Sequence, residues 1–137
     1  VLCATVDIAS GDMAVASAGH DSPVLRRADR SVAPLELTSG PPLGFEVADS
    51  YPQWQGRLQP GDALLAYTDG ITEAFDVRNE AFGEDRLLQA AAADGDAPVL
   101  CERVLAAVAG FAMEAPQSDD ITVLAISMDP LPELQPC

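Results

Sequence analysis

The residues of this chain whose types and spacing could do chemistry fall in two acidic clusters. The first is Tyr67-Thr68-Asp69-Gly70-Ile71-Thr72-Glu73-Ala74, and the second is Gln117-Ser118-Asp119-Asp120-Ile121-Thr122-Val123. In the first, the apolar run Ala63 to Thr68 reads as a buried strand. Its end delivers Asp69 to a sheet rim, where Gly70 lets the backbone turn at once. In the second, a carboxylate pair precedes Ile121 to Met128, which reads as the last strand. Carboxylates held at neighbouring strand ends form a hard-oxygen site for Mg2+ or Mn2+, and the cation relieves their mutual repulsion. Each cluster alone has a plainer reading: an Asp-Gly after a strand is a turn, and a Ser-Asp-Asp before one is solvated loop or a cap. Fifty residues separate Asp69 from Asp119, so only the fold could unite them.

Other candidates carry less. His20 is the sole histidine, within Gly19-His20-Asp21-Ser22. Adjacent loop residues do not converge as a His-Asp-Ser triad, so His20 reads as a residue that shapes its loop. Asp94-Gly95-Asp96 fails as a calcium loop, with Val99 at the sixth position and Leu105 at the twelfth. No glycine pattern that cradles phosphate occurs. Cys3, Cys101 and Cys137 are odd in number and lack CxxC spacing, which fits reduced thiols in a cytosolic protein better than a disulfide framework or zinc site. Trp54 reads as packing.

The elements that must position the acidic clusters follow from periodicity. Val1 to Ile8 alternates, with Leu2, Ala4, Val6 and Ile8 on one face, and pairs with Met13 to Ala18 as a hairpin. Val24 to Arg27 and Val32 to Leu37 form a second strand pair, Ser39 to Gly44 is a breaker cluster, and Tyr51 to Leu58 is a further strand. The period then changes. Glu84 to Ala93 reads as a helix. Asp96 caps the next one, with Pro98 in its first turn and an apolar stripe at Leu100, Val104, Ala107, Val108 and Phe111. Strands segregated from helices indicate an α+β fold with mostly antiparallel sheets.

Composition bounds the function. The chain has 137 residues, 48% of them hydrophobic, enough for one domain or a part of one. A net charge of −15 argues against nucleic-acid binding and against adhesion to an anionic membrane. All seven cationic residues are Arg. No apolar run reaches the roughly 18 residues of a membrane span, and no signal-peptide pattern opens the sequence.

Five segments, in order and spacing, resemble the SpoIIE-type branch of the metal-dependent protein phosphatase (PPM, type-2C) family. They are Ala18-Gly19-His20-Asp21-Ser22-Pro23, Pro42-Leu43-Gly44, Leu58-Gln59-Pro60-Gly61-Asp62 through Ala74, Phe82-Gly83-Glu84-Asp85-Arg86-Leu87, and Gln117 to Val123. The resemblance implies an α-β-β-α sandwich with a metal cluster at one rim of its two sheets. Asp69 and Asp119 match family metal ligands. Asp120 stands where many members outside this branch have Asn, which implies support of the ligands or weak coordination. The implied cofactors are two ions of Mg2+ or Mn2+, and the implied reaction is hydrolysis of phosphoserine or phosphothreonine. The implied partner is a phosphorylated regulatory protein such as an anti-sigma-factor antagonist.

The family supplies further aspartates and a glycine carbonyl from segments before the hairpin at which this chain starts. Residues 1–129 are therefore expected to be the C-terminal part of such a domain, followed by a Pro-rich tail at 130–137. The part alone is expected to be inactive. Its uncovered sheet edges are expected to associate with a second copy, as a homodimer, or with another part of the same polypeptide. The alternative is a non-catalytic module of the same fold that binds a protein partner or dimerises.

Overall fold

The computed structural model describes residues 1–45 and 50–129. The first sheet, in the order β1-β2-β5, joins β1 (Leu2–Val6), β2 (Asp12–Ser17) and β5 (Gln53–Arg57). The second, in the order β4-β3-β6-β7, joins β3 (Val24–Arg26), β4 (Val32–Pro34), β6 (Ala63–Tyr67) and β7 (Val123–Ser127). Every strand pair is antiparallel. Among the described residues three helices follow β6: α1 (Asp69–Thr72), α2 (Gly83–Ala91) and α3 (Ala97–Ala112). The fold is thus α+β, as the sequence pattern indicates.

Side-chain alternation builds two cores. Met13 and Val15 of β2 face Leu25 of β3 and Leu64 of β6, which glues sheet to sheet. The opposite faces of the same strands, with Val24, Ala63, Leu65 and Tyr67, pack against Leu87 of α2 and Leu100, Val104 and Val108 of α3. Strand β6 is covered on both faces, which explains its unbroken apolar run, and each buried Leu there contributes about 1.5–3 kcal/mol. Among the described residues the layers therefore run sheet, sheet, helices. The outward residues Cys3, Thr5, Gln53 and Gln55 of the first sheet are exposed.

The α3 N-terminus forms as its residues dictate. The Asp96 carboxylate accepts from the Val99 N–H at 3.2 Å, and Pro98 occupies the first turn. The buried Arg26 side chain donates to the Ala93 and Gly95 carbonyls, both at 2.7 Å, and clamps the turn between α2 and α3. Arg86 stacks 4.5 Å over the Phe111 ring, and Phe82 meets that ring edge-on at 5.5 Å.

Some expected boundaries are corrected. Strand β1 stops at Val6, and Ile8 is exposed in a turn, because the Asp7 carboxylate accepts from the Ala9 and Ser10 N–H groups at 2.9 and 2.8 Å. Strand β4 ends at Pro34, which has no N–H to extend the ladder, rather than at Leu37. Residues 69–72, expected as a turn, form the short helix α1. The Pro-rich tail and Cys137 lie outside the described residues. Cys3 and Cys101 are free thiols. Among the described residues no helix is long and apolar enough to cross a membrane.

Candidate functional site

The exit of β6 and the entrance of β7 are adjacent in the second sheet, with Tyr67 opposite Val123. One residue further, the Thr68 N–H donates to the Thr122 carbonyl at 3.1 Å. The Thr68 hydroxyl accepts from the Thr122 N–H at 2.9 Å and donates to the Asp120 carbonyl at 2.8 Å. That hydroxyl continues the ladder past the strand end, which is why Thr68 sits at the α1 N-cap without capping it through its side chain. A second tie follows, from the Ser118 hydroxyl to the Glu73 carbonyl at 2.9 Å. The two acidic segments, distant in sequence, therefore lie side by side.

Gly70 is needed here for a reason other than the expected turn. Its φ is not in the left-handed region, and it belongs to α1. A Cβ at this position would collide with the Asp120 carbonyl oxygen and stand 2.9 Å from the Asp120 carbonyl carbon. The absent side chain permits the close approach of α1 to the Asp119–Asp120 backbone.

Asp69, Asp119 and Asp120 are all exposed. Asp119 Oδ1 accepts from the Asp120 N–H at 2.7 Å, and Gln117 Nε2 donates to the Asp119 carbonyl at 2.7 Å. The Asp69 carbonyl accepts from the Glu73 N–H, closing the α1 turn. Among the described residues none of the three carboxylates forms an ion pair with Arg.

A third segment borders this corner. Gly19, His20 and Asp21 line a cleft of about 100 Å3 together with Thr68 and Asp69. The loop is pinned from below. The Ser17 hydroxyl meets the His20 carbonyl and the Ser39 hydroxyl, both at 2.9 Å, and the Gly19 N–H donates to the Gly40 carbonyl at 2.9 Å. Nδ1 of His20 lies 2.9 Å from the Asp21 carbonyl, in keeping with a loop-shaping role. In sequence, Asp21 shows only the pattern of a loop residue. The packing of the first sheet on the second, which brings the loop after β2 to the cleft beside Asp69, is what singles it out. Burial, then the charges of Asp21 and Glu84, push the Tyr67 hydroxyl up to about 12.

The oxygen donors at this corner suit Mg2+ or Mn2+ in kind but not in number. Among the described residues no group of three or more His, Cys, Asp or Glu side chains gathers closely enough to hold an ion. The residues present thus fall short of a two-ion centre.

The sequence profile of the SpoIIE family, Stage II sporulation protein E, matches residues 1–129. Protein IcfG of Synechocystis sp. is 28% identical over 122 residues, covering 88% of this chain and 19% of IcfG. The RsbU and RsbW domains of a Mycobacterium tuberculosis protein share 31% identity at a TM-score of 0.72, over 93% of this chain and 35% of that one. The SiaA-PP2C domain of Pseudomonas aeruginosa shares 26% identity at a TM-score of 0.78, over 93% of this chain and 51% of that one. The chain spans about half or less of the length of each relative.

Proposed function

The chain belongs to the SpoIIE family of PP2C-like phosphatase domains, and from that premise we propose that it is the C-terminal part of a metal-dependent phosphoprotein phosphatase. Residues 1–129 make up that part, and 130–137 are a tail. The substrate would be phosphoserine or phosphothreonine in a regulatory protein, such as an anti-sigma-factor antagonist, in a cytoplasmic signalling pathway. Asp69 and Asp119 are proposed as ligands of Mg2+ or Mn2+, with Asp120 supporting them. Two ions are proposed for the complete domain.

The observation that carries this reading is the stitching of the two acidic segments by Thr68 and Ser118, with their carboxylates, among the described residues, left free of Arg. A fold that fastens two like-charged segments together, without an internal cation, suits a ligand of opposite charge. The shortfall of donors among the described residues supports the reading of the chain as part of a domain, whose remaining ligands would come from another segment. The same shortfall favours one other reading, a non-catalytic module that binds a partner or dimerises.

Phosphate release from a phosphoserine protein in Mn2+ separates these. The 137-residue chain alone is expected to release almost none. A polypeptide that adds the upstream half of a PP2C domain is expected to turn over, and to lose turnover on Asp69→Asn or Asp119→Asn. Robust turnover by the 137 residues alone, abolished by Asp69→Asn, would overturn the incomplete-centre proposal. A chelator-insensitive complex of the longer polypeptide with an unphosphorylated partner, without turnover, would establish the non-catalytic module.

A further inference from the structure

A groove of about 440 Å3 opens between the C-terminal half of α3 and the residues that follow α1. Leu105, Ala109 and Met113 form one wall, Ala74 lies on the other, and Gln117 and Ser118 close one end. While α3 buries Leu100 and Val104 against the sheet, it leaves this second apolar stripe open, with Met113 77% exposed. The result is an apolar concavity open to solvent at the end of α3. The two polar side chains in the lining are already tied to backbone, Gln117 to the Asp119 carbonyl and Ser118 to the Glu73 carbonyl. The groove therefore offers shape and apolar surface, not the converging polar groups that orient a small molecule.

Charge narrows the occupant. The exposed charged residues next to the lining in sequence are Asp69, Glu73, Glu114, Asp119 and Asp120. No Arg lines the groove. Arg103 stands two residues before Leu105 and so turns to another side of α3. A second copy, at a net charge of −15, would bring like charge to an acidic rim. The tail 130–137 carries a Glu and no cation.

We infer that this groove docks the apolar face of a cationic amphipathic helix from a protein partner, with its Lys or Arg flanks against the carboxylate rim. The occupant would press on Ala74 and on Gln117–Ser118, which belong to the two segments that carry Asp69 and Asp119. Docking would thereby steady that corner. The inference goes beyond the phosphatase reading, which assigns three of these carboxylates, Asp69, Asp119 and Asp120, to a divalent ion; its test is therefore run without divalent metal and reads binding, not turnover.

The probe is a helical Leu–Lys peptide of roughly 14 residues, about four turns, with Leu at helical spacing. Its control is the Leu–Glu peptide of the same spacing. Titration of the 137-residue chain by anisotropy is expected to show saturable binding of Leu–Lys alone, weakened by salt. Ala109→Trp, which fills the groove, and Met113→Lys, which sets a cation on its apolar wall, are each expected to weaken binding by about tenfold or more. Both positions are exposed, so the melting curves of the two variants should match that of the parent chain. Thr5→Lys, the same charge change on the outer face of the first sheet, should leave affinity within about twofold. Four results would each overturn the inference. They are equal binding of Leu–Glu, binding that survives both groove variants, a loss on Thr5→Lys equal to that on Met113→Lys, and self-association of the chain that Ala109→Trp abolishes.

Discussion

Asp62 stands at the entrance of β6 and Asp69 just past its exit, yet the fold treats the two carboxylates in opposite ways. Asp62 is 2% exposed. Its Oδ2 accepts from the Arg27 guanidinium at 2.7 Å and the Gln59 N–H at 2.9 Å, and its Oδ1 accepts from the Ala28 N–H at 2.9 Å. One side chain thus fastens the β3–β4 turn to the β5–β6 turn. Asp69 is exposed, forms no ion pair among the described residues, and faces a cleft shared with Asp21. The first carboxylate serves the fold, while the second is held at the surface by backbone ties that leave its oxygens available. Acidity alone does not mark a functional residue. What distinguishes one is a carboxylate that the structure positions without neutralising.

The sharpest way to break this comparison is Asp62→Ala. It strands two backbone N–H groups and removes the partner of Arg27, so stability should fall by about 2–4 kcal/mol. Urea denaturation of the chain measures it. A loss under about 0.5 kcal/mol would make Asp62 as dispensable to the fold as Asp69 is held to be.

Gly70→Ala probes how the exposed corner is assembled. The new Cβ must displace the Asp120 backbone, which a flexible side chain cannot absorb. Alanine's better helix propensity offsets part of that cost, and a net loss of about 1–3 kcal/mol is expected. The accompanying signature is local: amide exchange at Thr122, whose N–H is held by the Thr68 hydroxyl, should quicken more than exchange in β2. Uniform quickening across both sheets would show that the corner is not a separate unit.

Much of this architecture is legible in the sequence, because period-two and period-3.6 patterns report burial directly. The run Ala63 to Thr68 and the stripe Leu100–Val104–Val108 are read correctly for that reason. Only the family resemblance links the Asp69 and Asp119 segments in the sequence, since nothing local in either segment specifies the other. The cost of closing the chain between them is met by the pairing of β6 with β7, a tertiary fact. The role of Asp62 was not seen: in sequence, Gln59-Pro60-Gly61-Asp62 is an ordinary turn, and only the arrival of Arg27 and Ala28 from another hairpin makes its carboxylate structural. The short α1 was missed because four residues cannot display a helical period.

The smallest expected effect sharpens the comparison most. Asp69→Asn keeps the side chain's shape, leaves the Asp69 carbonyl bonds of α1 in place, and removes one negative charge from a cleft that also holds Asp21. No Arg loses a partner by it among the described residues. Stability should therefore stay within about 0.5 kcal/mol of the parent chain, with any change toward greater stability as repulsion eases. High salt screens that repulsion, so the difference between the two chains should shrink as salt rises. The same denaturation experiment that registers Asp62→Ala as a large loss registers this substitution as flat. A loss above about 1 kcal/mol would mean that Asp69 is part of the scaffold after all, and the division between the two ends of β6 would fail.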